Sequence, residues 1–211
     1  MTVLVITIKG VPMNDKFFDL KKEKQDRIIN ASLKIFAENG YKHCSTDDIV
    51  REAGISKGLL FHYFGSKMNL YEFLYDYCVK FLSMELKSSI PTDEKDYFTI
   101  MKDSEAAKRN VLRSYPYMQM FINRSMTEDD EDAVDNTSNL REELQSIYDG
   151  ILGQVDSGKF RKEADPAQVH TMLQSTLRSL MSDQLQSSAF NPDHYYSDGI
   201  KYINMLQSIC Y

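Results

Sequence analysis

Residues 45–67 read Ser45-Thr46-Asp47-Asp48-Ile49-Val50-Arg51-Glu52-Ala53-Gly54-Ile55-Ser56-Lys57-Gly58-Leu59-Leu60-Phe61-His62-Tyr63-Phe64-Gly65-Ser66-Lys67. Ser45 is a good helix cap, and Asp48 three positions later gives an aspartate version of the reciprocal capping pair. Ile49, Val50 and Ala53 supply an inner face, and Gly54 closes the segment. After the apolar plug Ile55, Ser56 caps a second helix over Lys57–Phe64, whose Leu60 and Phe64 at i and i+4 face inward. Gly65 ends it, and Ser66 caps a longer helix reaching about Lys87. Two helices joined by a short glycine-containing turn make a helix-turn-helix, whose second helix enters the major groove of DNA.

The outward face of that second helix carries groups suited to DNA. Lys57 brings charge, Gly58 permits close backbone approach, and Leu59 offers an apolar contact for a thymine methyl. Phe61, His62 and Tyr63 add aromatic and hydrogen-bonding surface, which a solvated helix seldom displays together. Lys67, beside the free amides that open the next helix, forms a candidate phosphate site. Ser45 and Thr46 can act likewise, and the Lys21-Lys22-Lys24 cluster is a further phosphate candidate.

Outward from this stretch, helical periodicity dominates and no segment alternates long enough for a sheet. The expected fold is all-α, with about nine helices. A first helix runs from about Lys21 to Asn39, ended by Gly40. Beyond Pro91 the pattern gives helices over Asp93–Ser114, Pro116–Met126, Ser138–Val155, Asp165–Gln186 and Asn191–Cys210. Thr127–Asn136 reads as an acidic loop; its run Glu128–Asp132 lacks the glycine and spaced ligands of a calcium loop and reads as solvated. No internal repeat is visible.

Three segments follow: an N-terminal extension over 1–20, a DNA-binding head over 21–65, and a helical effector and dimerisation body over 66–211. Lys9-Gly10-Val11 can be encoded with a purine-rich ribosome-binding sequence, so Met13 is an alternative start that leaves 1–12 outside the native chain. Val3–Ile8 lacks a preceding cation and a small-residue cleavage site, which excludes a signal peptide, and no apolar run is long enough to span a bilayer.

The net charge of −6 is uneven. Residues 21–67 hold nine cations against six carboxylates, a net of +3, which leaves −9 on residues 68–211 because residues 1–20 balance. A basic head on an acidic body is expected when only the head meets phosphates. Cys44, Cys78 and Cys210 form no CxxC pair, so neither a disulfide framework nor a zinc site is indicated, and a reducing cytoplasm fits. No metal or cofactor is implied. With four dispersed histidines and no GxSxG, HExxH or glycine-rich phosphate loop, no catalytic set appears, so the chain does not read as an enzyme.

Gly40-Tyr41, Ser45, Asp48-Ile49, Ala53-Gly54-Ile55-Ser56-Lys57-Gly58, Leu60-Phe61-His62-Tyr63-Phe64 and Ser66-Lys67 closely resemble the DNA-binding signature of the tetracycline-repressor (TetR) family over about residues 22–75. The resemblance implies a homodimeric repressor that binds a palindromic double-stranded operator. Its last two helices (about 165–186 and 192–210) would pair with their mates, and a ligand would lie among helices from about 70 to 155. Ligand binding would then pivot the fourth helix and release the operator.

Carried over by position, base reading falls mainly on Lys57, Leu59, Phe61 and His62, with Asp47 secondary. Phosphate contact falls on Ser45, Thr46, Tyr63 and Lys67. Cys44 and Phe61 depart from the family's usual threonine and tyrosine, and Phe61 lacks a hydroxyl that commonly reaches the backbone. Tyr97, Met101, Tyr117, Met120 and Phe121, from an aromatic and methionine-rich region, are candidate effector contacts suited to a partly apolar molecule, or plain core. His170 reads as a packed or interface histidine. A DNA-binding regulator with a filled core and no effector remains an alternative reading, as does an enzyme with a DNA-binding-like head.

Overall fold

The computed structural model describes residues 15–186 and 190–211, with Asp15 and Gln186 described in backbone only. The alternative start at Met13 and the segment 1–14 of the expected extension lie outside the described residues. Among the described residues there are ten α-helices, two 3-10 turns and no strand. The helices are α1 (Lys22–His43), α2 (Thr46–Ala53), α3 (Lys57–Phe64), α4 (Lys67–Ser89) and α5 (Tyr97–Ser114), then α6 (Met118–Ser125), α7 (Glu131–Asn136), α8 (Ser138–Gly153), α9 (Pro166–Gln186) and α10 (Pro192–Cys210).

Local chemistry explains most boundaries. Ser45 Oγ accepts from the Asp47 amide (3.2 Å) and Ser56 Oγ from the Leu59 amide (3.2 Å), satisfying amides that α2 and α3 leave without intrahelical partners. Gly54 adopts the left-handed conformation (φ 62°, ψ 44°) that lets the chain turn between them. Asn191 caps α10 ahead of Pro192, and Asp165 accepts from Gln168 ahead of Pro166. Asp48 closes no reciprocal cap; its carboxylate pairs with Arg51.

Two expectations are corrected. α5 starts at Tyr97 because Asp96, not Asp93, caps it, accepting from the Thr99 amide at 2.9 Å. The acidic loop is partly helical: Asp130 accepts from the Ala133 amide (3.0 Å) and starts α7. Glu128 Oε2 accepts from the Tyr41 amide at 2.6 Å, so part of the acidic run has structural partners rather than standing in solvent.

The chain packs as two units, a partition different from the functional division expected at 65/66. The first comprises residues through Phe81 together with Ser114–Leu144. Its core unites Ile28, Leu33 and Phe36 of α1, Ile49 of α2, Leu60 and Phe64 of α3, Leu70, Tyr71 and Leu74 of α4, and Met118, Phe121 and Ile122 of α6. Phe17, ahead of α1, is fully buried against Tyr63, Phe64 and Phe73. The second unit comprises Leu82–Arg113 and Gln145–Tyr211. There α5 supplies Tyr97, Phe98 and Met101, α9 supplies Val169, Leu173 and Leu177, and α10 supplies Ile203, Leu206 and Cys210.

Candidate nucleic-acid interface

The interface is built on α3, whose two faces differ sharply. Leu60 and Phe64 are 1% and 0% exposed, which seats the helix on the first unit's core. Lys57, Gly58 and His62 are exposed, and Leu59 and Phe61 are partly exposed. Nothing lies within 4 Å of a Cβ built on Gly58, so the backbone there is open to a ligand surface. Lys57 Nζ pairs with the Asp47 carboxylate at 2.9 Å, an exposed contact between the two helices of the motif.

The other expected contacts are more enclosed. Tyr63 is 6% exposed, its ring edge-on to Phe17 at 5.6 Å. Lys67 Nζ donates to the carbonyls of Tyr41 (2.9 Å) and Cys44 (3.4 Å) and lies 4.2 Å from the Tyr41 ring centroid. It therefore ties the start of α4 to the turn before α2. The Asn69 amide beside it is already bonded to Ser66 Oγ at 3.0 Å. Ser45 and Thr46 stand partly exposed where α2 begins. In the basic cluster, Lys22 pairs with Asp26 and donates to Tyr115 Oη at 2.8 Å, while Lys21 is exposed. Burial pushes the Cys44 thiol up to about 12, so at neutral pH it is a protonated apolar filler rather than a nucleophile.

Behind the motif, the turn ending α1 is clamped by the end of α6. Gly40 holds φ 70°, and a Cβ there would lie 2.9 Å from Arg124 Nη2 and 3.1 Å from Glu128 Oε2. Sequence reasoning missed this clamp and the plug residue Phe17. The paired aromatics Phe17-Phe18 just ahead of α1 were the available signal for the plug. The clamp joins positions 87 residues apart and left none.

The family model for bacterial regulatory proteins of the tetR family matches residues 28–74, which span this whole motif. This head is similar to that of the tetR family. Over 152 residues the chain is 27% identical to the HTH-type transcriptional regulator YuxN of Bacillus subtilis (strain 168), covering 69% of this chain and 48% of that protein. Over 59 residues it is 34% identical to IcaR of Staphylococcus aureus (strain Newman), the HTH-type negative transcriptional regulator of the biofilm operon icaADBC. That match covers 28% of this chain and 32% of IcaR, so the chain spans half or less of the curated relatives it matches. The fold is that of FadR from Bacillus subtilis, solved in complex with stearoyl-CoA: TM-score 0.57, 15% identity, 88% of this chain and 98% of that one.

Outside the tetR-type head, the candidate effector contacts fall into two groups. Tyr97 and Met101 are buried in the second unit, where Tyr97 Oη meets His170 Nδ1 at 3.1 Å and Met101 Sδ accepts from Gln174 Nε2 at 3.7 Å. His170 is thus a packed, half-buried histidine whose pKa is lowered, chiefly by burial and further by Lys108. Tyr117, Met120 and Phe121 belong to the first unit. Phe121 is buried edge-on against Phe36, Tyr71 and Tyr75, while Tyr117 and Met120 are partly exposed. Among the described residues no His, Cys, Asp or Glu group could hold a metal ion, and no helix is long and apolar enough to cross a membrane.

Proposed function

We propose that this chain is a cytoplasmic transcriptional repressor that binds a palindromic operator as a homodimer and is released by a small, partly apolar effector. The observation that carries the DNA-binding half is the two-faced α3. Its inner residues lock it to the core while Lys57, Gly58, Leu59, Phe61 and His62 remain outward on a helix whose entry and exit are both glycine turns. Lys57, Leu59, Phe61 and His62 meet base edges, and Ser45, Thr46, Tyr63 and Lys67 serve the sugar-phosphate rail. For Lys67 this requires its ammonium to leave the Tyr41 and Cys44 carbonyls or to reach phosphate through the helix start that it braces. Relatives named as transcriptional regulators, one of them a negative regulator, support the repressor reading.

The dimer reading rests on α9 and α10. Tyr202, Met205 and Ile209 recur at helical spacing on the outer face of α10, with Ile209 57% exposed, and Met172 is exposed on α9. Large apolar side chains in one stripe suit a two-fold interface. Replacing both Met205 and Ile209 by glutamate is expected to convert a dimer to a monomer in sedimentation analysis. It should weaken operator binding at least 100-fold, because the second half-site no longer binds intramolecularly. A double variant that stays dimeric moves the interface elsewhere.

The function is tested by gel shift on the DNA flanking the chain's own gene. The expected result is a specific shift on an inverted repeat with half-sites about one helical turn apart, or a multiple of that. Leu59→Ala should change preference at particular base pairs, whereas a uniform loss across sequences would contradict direct reading by Leu59. Equal affinity for operator and random DNA at physiological salt would overturn the function itself.

A further inference from the structure

We infer that the first unit binds a planar monocarboxylate on an aromatic or apolar body, anchored by Arg141. The proposal rests on the effector reading above and gives that effector a chemical class. Arg141, on α8, donates from Nε to Thr137 Oγ1 (2.9 Å) and from Nη1 to the Ser125 carbonyl (2.6 Å). Its Nη2 is shut away from solvent and has no hydrogen-bond partner. No carboxylate among the described residues forms an ion pair with this guanidinium. Glu128, three residues beyond Ser125, is already bonded to the amides of Tyr41, Asp129 and Asp130.

Arg141 is partly exposed as a residue, but its Nη2 is closed to solvent without a partner, and the charge-assisted bond that this nitrogen lacks is one a carboxylate ligand supplies. Nη2 and the remaining N–H of Nη1 form the end-on fork that holds two carboxylate oxygens at once. The surroundings specify the rest of the ligand. The Arg141 guanidinium lies 5.5 Å from the Tyr75 ring centroid, and Phe121 packs against both Tyr75 (6.0 Å) and Tyr71 (5.3 Å). Three buried aromatic rings beside one unmatched cation suit an aryl or apolar acid better than a compact inorganic anion.

The same residues provide a route to the head. A carboxylate pulling on Arg141 acts on the Ser125 carbonyl at the end of α6. From there one turn leads to Glu128, which holds the Tyr41 amide just after the Gly40 break near the end of α1. Occupancy thereby biases the clamp at Gly40 and, through it, the seating of the helix-turn-helix.

The test is calorimetric titration of the full chain with phenylacetate and 4-phenylbutyrate, each against its primary amide, and with inorganic phosphate. The carboxylates should bind at least tenfold more tightly than the amides and than phosphate. Arg141→Gln should weaken the carboxylates by about 30-fold or more and leave the amides unchanged. Arg141→Lys keeps the charge without the fork and should fall between, which preserves the test if the glutamine variant folds poorly. Equal binding of acid and amide, unaltered carboxylate binding by Arg141→Gln, or no carboxylate binding at all overturns the site. Because binding is read without DNA, a chain that takes up carboxylates yet keeps its grip on the operator retains the site and removes only the release mechanism.

Discussion

Lys108→Met is expected to destabilise the chain by about 3–5 kcal/mol. The Lys108 side chain is 9% exposed and Glu105 is 2% exposed, with Nζ and Oε1 2.6 Å apart inside the second unit. Glu105 Oε2 also accepts from Tyr195 Oη at 2.8 Å, so the carboxylate is bonded on both oxygens. Burial works to lower the Lys108 pKa, but Glu105 and Tyr148 outweigh it and hold the ammonium above its ordinary value. Removing the cation leaves a carboxylate in a dry interior with a single neutral donor.

The sign reverses when both partners go. Glu105→Leu with Lys108→Met removes two desolvated charges together, and the double variant should return to within about 1 kcal/mol of the parent or exceed it. Thermal unfolding reads both results, with a drop of roughly 6–20 °C for the single variant. A single variant that melts with the parent means the pair is solvated and contributes nothing. A double variant as unstable as the single one means the cost comes from packing, not charge.

Phe64→Ala is expected to remove a comparable amount, about 3–5 kcal/mol, and operator binding with it. The Phe64 ring is fully buried, 5.0 Å from Phe17 and 5.1 Å from Phe73 between centroids. It is the inner anchor of α3, so the cavity left by alanine loosens the helix that carries the DNA face. Phe61→Ala on the same helix provides the contrast. Phe61 is partly exposed on the outward side, so its removal should lower DNA affinity while unfolding stays within about 1 kcal/mol of the parent. Equal stability losses from the two would mean that α3 does not have the two faces on which the DNA-binding proposal depends.

These two predictions mark where sequence sufficed and where it did not. The two short helices of the head, α2 and α3, were legible because their signals act within one helical turn. Ser45 and Ser56 cap amides two or three residues on, and Gly54 takes a backbone angle that other residues avoid. The inward positions Leu60 and Phe64 of α3 followed from their i, i+4 spacing for the same reason, but Tyr63, expected on the outward face, is buried against Phe17. Where two acidic residues competed to cap α5, local chemistry could not choose. Tyr97 is buried, and Asp96 stands at the one position that caps a helix starting there.

Everything that depends on partners far apart in the chain was decided by tertiary structure. Glu128 reads as one more solvated acid until its partner, the Tyr41 amide, is found 87 residues away. Lys67 reads as a phosphate ligand until the Tyr41 carbonyl, 26 residues back, is found accepting a hydrogen bond from its ammonium. Glu105 meets Tyr195 across 90 residues, and Arg141 meets the Tyr75 ring of α4 and the Ser125 carbonyl of α6, contacts that nothing near it in the chain announces. A helix cap is a property of four consecutive residues, so the amino-acid order alone placed α2 and α3. A buried charge is a property of everything packed around it, so only the folded chain could reveal the interior ion pair and the unmatched arginine.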